Sequence, residues 1–427
     1  MSHTTIDDAV LEAVLRFNRG RKRKLVRLKL RRMLDHPFNF FRGTNHLFAR
    51  SWPELRPPEV GPDILICGDL HLENFGAYRT SDGDFRYGIN DFDDAAVGPC
   101  SLDLVRCTTS IFLAAEQWML TPTEATGMAL AYLERYRQSV FEAVGAGAVG
   151  EVAPKSGQGP VWELLGSTIV ATQAELLERN TKHRGDGRPV LRRTKNHPEV
   201  SRKRFETIRD AIEEYGRSSG QPDAFRVHDV TLRIAGVGSL GMRRYLTLIE
   251  GAGPPDGYRL IDIKQCEPSP VAGCTEAPQP DWGGDEALRV VRAETALQGH
   301  PAAGLDVFRL GSRSYRMREM IPEENRTRLA RFRKQPAKLR RAVETAGTLT
   351  AWSHLRGGRT AATPGQDHWP ELARWAAGAA VDAILAAAAR YAERTGRDYA
   401  AFRRAVRDSG GLVRRLQSID AGSPPSE

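Results

Sequence analysis

The sequence predicts an α+β chain in which a small antiparallel sheet carrying one helix sits beside a larger, mainly helical body. Three observations lead there. Short alternating or apolar runs cluster at Val230–Ala235, Arg244–Glu250, Tyr258–Gln265, Val307–Leu310 and Ser314–Met320, with one helical stretch, Asp285–Gln298, among them. Helical patterns fill Leu102–Leu120, Pro122–Ala143 and Trp162–Asn180. From Leu329 onward the chain is helical again, rich in alanine and arginine.

Taken in order, the elements fall into blocks separated by turn-forming stretches at Pro53–Pro62, Gly145–Pro160, Ser218–Asp223 and Glu267–Gly284. Residues 1–60 form a basic helical segment, in which Val26, Leu30, Met33 and Leu34 recur with helical spacing as one docked stripe. Residues 61–225 open with two short strands, Ile64–Cys67 and Phe85–Ile89, each followed by an acidic loop, and belong to the helical body. The basic stretch Thr181–Arg204 lacks apolar periodicity and reads as a loop. Residues 226–325 are the sheet, 326–420 the rest of the helical body, and 421–427 a polar tail.

With 427 residues, 41% hydrophobic and 27% charged, the chain can bury a sizeable core and reads as soluble and globular. Met1–Val10 lacks the basic start of a secretory signal, and the most apolar stretch, Trp375–Ala389, is interrupted by Asp382 and too short to span a bilayer. A cytoplasmic protein without membrane contact is the expectation. Five cysteines without a C-x-x-C pair argue for reduced thiols, against a disulfide framework or zinc ribbon. The net charge of +9 is local: ten Lys or Arg and no acid lie between Arg16 and Arg32, and the remainder is nearly neutral. This segment reads as a solvated helical face, with a phosphate-rich partner such as nucleic acid as the less favoured alternative.

The chemistry concentrates in Cys67-Gly68-Asp69-Leu70-His71-Leu72-Glu73-Asn74 and Asn90-Asp91-Phe92-Asp93-Asp94. Phosphoryl transfer needs a carboxylate near the acceptor hydroxyl and oxygen ligands that hold Mg²⁺ against nucleotide phosphates. Asp69 and Asn74 have the five-residue spacing of a kinase base and its metal-ligating asparagine, and Asp91 takes the place of the second metal ligand. Acidic turn chemistry is the plain alternative for either cluster alone. Gly236-Val237-Gly238-Ser239-Leu240-Gly241 lies between two predicted strands, the arrangement that covers ATP phosphates in kinases, or else an ordinary glycine-rich hairpin. Lys264 alternates with Ile261 and Ile263 on the next strand, where a phosphate-binding lysine stands. Glu294, on the apolar side of the following helix, is either its partner or an exposed edge residue, with Glu286 in reserve. Arg42, beside Phe40 and Phe41, could hold a carboxylate or phosphate; His71 could ligate or bond the loop backbone; Asp103 could cap its helix or brace the loop ahead.

With these residues in view, the sequence resembles the uncharacterised bacterial family called domain of unknown function 2252. The resemblance runs through Pro37-Phe38, Phe41-Arg42-Gly43, Cys67-Gly68-Asp69 to Asn74-Phe75-Gly76, Asn90-Asp91-Phe92-Asp93, Gly236-Val237-Gly238-Ser239 and Lys264. That family resembles the protein-kinase-like superfamily, and its Gly-Asp-x-His-x-x-Asn loop is similar to that of aminoglycoside and choline phosphotransferases. The resemblance implies a protein-kinase-like fold, an ATP- and Mg²⁺-dependent phosphotransferase activity and an unknown, small-molecule hydroxyl acceptor. Two features depart from the pattern: Cys67 stands where those enzymes usually carry histidine, and Asp69 and Asp91 precede Gly236 and Lys264, an order that implies circular permutation. The rival readings are a catalytically inactive nucleotide-binding or partner-docking scaffold, and a metallophosphoesterase suggested by Gly68-Asp69-Leu70-His71. The latter lacks its further motifs, the nearest match being Asn196-His197-Pro198.

Overall fold

Two amphipathic helices, α1 (Ile6–Phe17) and α2 (Arg23–Leu34), open the described part of the chain. The computed structural model describes residues 6–152, 173–185, 187–251, 257–321, 329–360, 367–378 and 380–408. The first part of the predicted helix Trp162–Asn180, most of the Gly145–Pro160 break and the tail Ala421–Glu427 lie outside the described residues. Leu11 and Val14 of α1 and Val26, Leu30 and Met33 of α2 bury their apolar stripes with Phe402 and Ala405 of the last helix, α12 (Ala380–Asp408). Helix α3 (Pro37–Gly43) starts on proline, with His36 Nδ1 accepting from the Phe38 amide, and α4 (Asn45–Leu55) follows.

Strand β1 (Asp63–Ile66) pairs antiparallel with β4 (Ala96–Pro99), and β2 (Phe75–Arg79) with β3 (Phe85–Ile89). Ile66 faces Ala96 and Phe75 faces Ile89, so loops 67–74 and 90–95 cross the same gap between the two ladders. That register is what brings the two acidic motifs together. Behind them stand α5 (Ser101–Trp118) and α6 (Pro122–Ala146), the latter started by a Thr121–Glu124 capping box. A single large core runs from Ile64, Leu65 and Leu104 through Tyr132 to Leu355 and Tyr391. Helices α10 (Pro336–Gly357), α11 (Trp369–Ala377) and α12 supply its far side.

After α7 (Gln173–Asn180), the stretch expected as a loop contains a small hairpin, β5 (Thr181–His183) with β6 (Pro189–Leu191). Asp229 pins it, accepting from the Leu191 amide at 2.8 Å and pairing with Arg193 at 2.6 Å, contacts no local pattern could announce. Helix α8 (Arg202–Ser218) then packs Ile208 and Ile212 on one face of a five-stranded antiparallel sheet. Its strands are β7 (Val227–Leu232), β8 (Arg244–Glu250), β9 (Tyr258–Gln265), β10 (Asp306–Leu310) and β11 (Arg313–Glu319), in the order β10-β11-β9-β8-β7. Helix α9 (Glu286–Gln298), capped by the Asp285 carboxylate, lies between β9 and β10 in sequence.

Alternation divides the sheet's residues between two faces. Tyr245, Ile263, Tyr315 and Met317 join the core shared with α8. Arg244, Lys264 and Arg316 are cross-strand neighbours on the other face. The architecture is mixed α+β, with twelve α-helices and small antiparallel sheets among the described residues. No single described helix is long and apolar enough to cross a membrane, and all five cysteines are unpaired.

Candidate functional site

One cleft, open to solvent, lies where loops 67–74 and 90–95 meet the polar face of the sheet and the hairpin between β7 and β8. Asp69, Asn74, Asp91, Gly236, Gly238, Ser239 and Lys264 all line it. Gly241 and Glu294 do not.

The acidic loops are braced from behind. Asp103, in the first turn of α5 and fully buried, accepts from the amides of Cys67 and Gly68 at 2.8 Å each, and His354 Nε2 approaches it at 3.4 Å. Asp103 thus braces the loop. Gly68 has φ +80°, and a Cβ there would lie 2.1 Å from the Asp94 carbonyl oxygen, so only glycine lets the two loops approach. Cys67 Sγ donates to the Asp91 carbonyl at 3.1 Å, and Asn45 Nδ2 joins Gly68 O to the Asp94 carboxylate. Arg289 of α9 donates to the carbonyls of Asp93, Ala95 and Glu267, which ties the sheet's helix to the acidic loop.

Asp69 is paired with Arg106, a fully buried α5 residue whose guanidinium lies over the Phe41 ring at 4.1 Å. The Asp69 side chain keeps 22% of its exposure, at the cleft. Burial pushes its carboxyl up to about 7, against the pull of Arg106 and with the help of Asp94 and Asp91. Burial also raises Asp94 above the usual carboxylate range. Asn74 Nδ2 donates to the Asp69 carbonyl at 2.9 Å. His71 takes the backbone role, its Nδ1 accepting from the Glu73 amide at 3.2 Å. Arg42 holds a carboxylate, that of Glu73.

Lys264, 3% exposed, sits between two carboxylates: Asp91 Oδ1 at 3.3 Å and Asp93. The partner expected from α9 is a different pair. Glu294 is buried and bound to Arg318, because β11 is the strand next to β9 and places an arginine beneath the helix. The reserve candidate, Glu286, pairs with Arg289. Beside Lys264, Asp262 is held well below the carboxylate range despite burial, by Arg244, Arg233 and Arg316.

The glycine segment lies over the cleft in the connection 233–243 between antiparallel strands β7 and β8, the first of which ends at Leu232 and not at Ala235 as expected, and its underside is met by α2. Lys29 Nζ donates to Gly238 O at 2.9 Å, Arg32 to Gly236 O at 2.8 Å, and the Lys22 amide to Gly241 O at 3.3 Å. Lys29 and Arg21 are buried and line the cleft, which corrects the expectation of a wholly solvated basic face; Arg16, Arg19, Lys22, Lys24, Arg27 and Arg31 remain exposed.

A model of an uncharacterised protein family conserved in bacteria, DUF2252, matches residues 21–405. The chain belongs to this family. No curated protein and no solved structure matches it. In this DUF2252 member the match begins at Arg21, so α2 is inside the family region along with both acidic loops. Sequence reasoning missed Asp93 and Lys29 as cleft residues and Arg106 as the buried partner of Asp69. For Lys29 a signal was present: it lies three residues after Val26 and four before Met33, on the docked stripe of α2, where a charged residue needs a reason.

Proposed function

We propose that the chain is an ATP- and Mg²⁺-dependent phosphotransferase, a kinase-like arrangement with permuted motif order, acting on a small-molecule hydroxyl in the cytoplasm. One observation carries the reading: Lys264 and Asp91, 173 residues apart, meet in a cleft that also holds Asp69 and Asn74 under a glycine hairpin. Acidic turns require no such convergence. The exposed cations of α2 are read as a solvated surface.

The donor set suits Mg²⁺. Asp91 and Asn74, with Asp93 beside them, offer hard carboxylate and amide oxygens, and Asn90 Oδ1 at the cleft has no protein partner among the described residues. No three His, Cys, Asp or Glu side chains among the described residues enclose an ion by themselves. Mg²⁺ commonly takes one or two carboxylates, waters and substrate phosphates. When bound, it would neutralise charge on the transferred phosphoryl group. Lys264 would bind the same phosphates, trading its carboxylates for them. Asp69, with a carboxyl near 7, is matched to accept the acceptor hydroxyl's proton near neutral pH, and Arg106 orients it. The metallophosphoesterase alternative gains nothing here: His71 Nδ1 is engaged with the Glu73 amide, and Asn196-His197-Pro198 does not line the cleft.

A thermal-shift series of nucleotides with and without Mg²⁺ tests the reading. ATP with Mg²⁺ at about 100 times its Kd should stabilise the chain by about 2.7 kcal/mol, and ATP consumption should accompany binding. Stabilisation without turnover over an acceptor panel favours the inactive scaffold; no stabilisation by any nucleotide rejects both.

A further inference from the structure

The cleft holds two buried lysines in unlike surroundings. Lys264 lies between carboxylates, whereas Lys29, wholly shielded from solvent, has only neutral partners: Gly238 O at 2.9 Å, Asn18 Oδ1 at 3.3 Å and the Phe17 ring at 5.7 Å. Asn18 Oδ1 is shared with Arg21, which also pairs with Glu267 at 2.6 Å. Burying an ammonium with no anion in contact is costly, and its place on the apolar stripe of α2 would suit leucine or methionine.

The charges facing Lys29 come from every side of the cleft. They are Arg21 from the turn after α1, Asp69 and Asp94 from the acidic loops, and Glu267 from beyond β9. Burial first, then Arg21, hold the Lys29 ammonium well below the ordinary lysine range, against the pull of Glu267, Asp94 and Asp69. His46 of α4, stacked on Phe17 at 4.0 Å, is pushed down to about 2 by burial and these cations, so it adds no charge.

The hairpin turns its carbonyls, not its amides, toward Lys29 and Arg32. Lys29 and Arg32 take the carbonyls of Gly238 and Gly236, so the N–H groups of the same trans peptides, those of Ser239 and Val237, point away from α2. Neither N–H has a protein acceptor among the described residues.

We propose that Lys29 is a second phosphoryl-binding cation of the cleft, receiving a phosphate of a polyphosphate ligand beneath the glycine hairpin and making α2 part of the binding site. The inference rests on the phosphotransferase reading for the nature of the ligand. It adds a contact from an element that stands before the acidic loops in the chain.

Calorimetry with inorganic tripolyphosphate and Mg²⁺ at about pH 8, on the full chain, tests it. Lys29→Met and Lys264→Met should each bind about ten- to hundredfold more weakly than the parent, the range for losing a charge-assisted contact. Arg27→Met, exposed on the same helix, should leave affinity unchanged. Parent-like affinity in Lys29→Met beside weakened binding in Lys264→Met overturns this inference and leaves the phosphotransferase reading standing. A parent chain that binds neither tripolyphosphate nor nucleotide overturns both. If Lys29→Met does not fold, Lys29→Gln, which keeps a donor for Gly238 O, supplies the reading, and parent-like affinity in that chain beside weakened binding in Lys264→Met overturns the proposal.

Discussion

The floor of the cleft, loops 67–74 and 90–95, is tied by buried charged groups along its length, whereas its roof, residues 236–241, hangs between two strands and is propped by cations of α2. In the floor, Asp103 and Arg289 bond backbone amides and carbonyls from behind, leaving Asp69, Asn74 and Asp91 to face the cavity. In the roof, the bonded atoms are the hairpin's own carbonyls, and one of the donors, Lys29, also lines the cleft. The floor is therefore held from behind by buried groups of the fold, while the roof is held by two cations of a single helix.

The largest effect should come from the floor residue assigned to the chemical step. Asp69→Asn should lower phosphoryl transfer by about 10² to 10⁴-fold while leaving nucleotide affinity close to the parent's. Parallel kinetics and calorimetry check this, and unchanged turnover would reject the base assignment. Next comes the brace: Asp103→Ala strands the amides of Cys67 and Gly68 in the core and should cost about 2–4 kcal/mol in denaturant unfolding. A cost near zero would mean that the floor is not held from behind.

The pH dependence sharpens the same contrast. Because the Asp69 carboxyl is raised to about 7, the folded chain retains a proton there that the unfolded chain releases at the ordinary carboxylate pKa. Its stabilising contribution is complete below that ordinary value and is lost as pH rises through about 7. Asp69→Asn should accordingly gain stability relative to the parent between about pH 4 and pH 7, and parent turnover should climb as pH passes about 7. Thermal midpoints of the two chains across this range, with rates, provide the check. The smallest effect belongs to the roof: Arg32→Ala removes one partly exposed prop from Gly236 O and should cost about 1 kcal/mol or less on unfolding.

The same contrast marks what the sequence could convey. Strands β8 and β9 and the two acidic loops were legible because period-two alternation and turn residues are local signals. The hairpin β5–β6 was not, since three-residue strands carry little pattern and theirs is secured by Asp229 on a distant strand. Glu294 was legible as a buried acid but not in its partner, because strand order places β11 beside β9 and supplies Arg318. Arg106 was hidden in a helix whose other buried residues are mostly apolar or small, and its contact with Asp69 exists only once α5 docks behind the loop. The distance between Asp91 and Lys264 along the chain, by contrast, did not prevent their meeting, since the cleft is assembled by packing and not by succession along the chain.

The central claim is that Asp91 holds a metal ion against nucleotide phosphates that Lys264 also binds. Calorimetry of ATP binding to the parent and to Asp91→Ala, each with and without Mg²⁺, tests it most directly. The account predicts that Mg²⁺ strengthens binding to the parent by about tenfold or more and that most of this gain disappears in Asp91→Ala. Equal affinity with and without Mg²⁺ in the parent, or an undiminished Mg²⁺ effect in the variant, would contradict it.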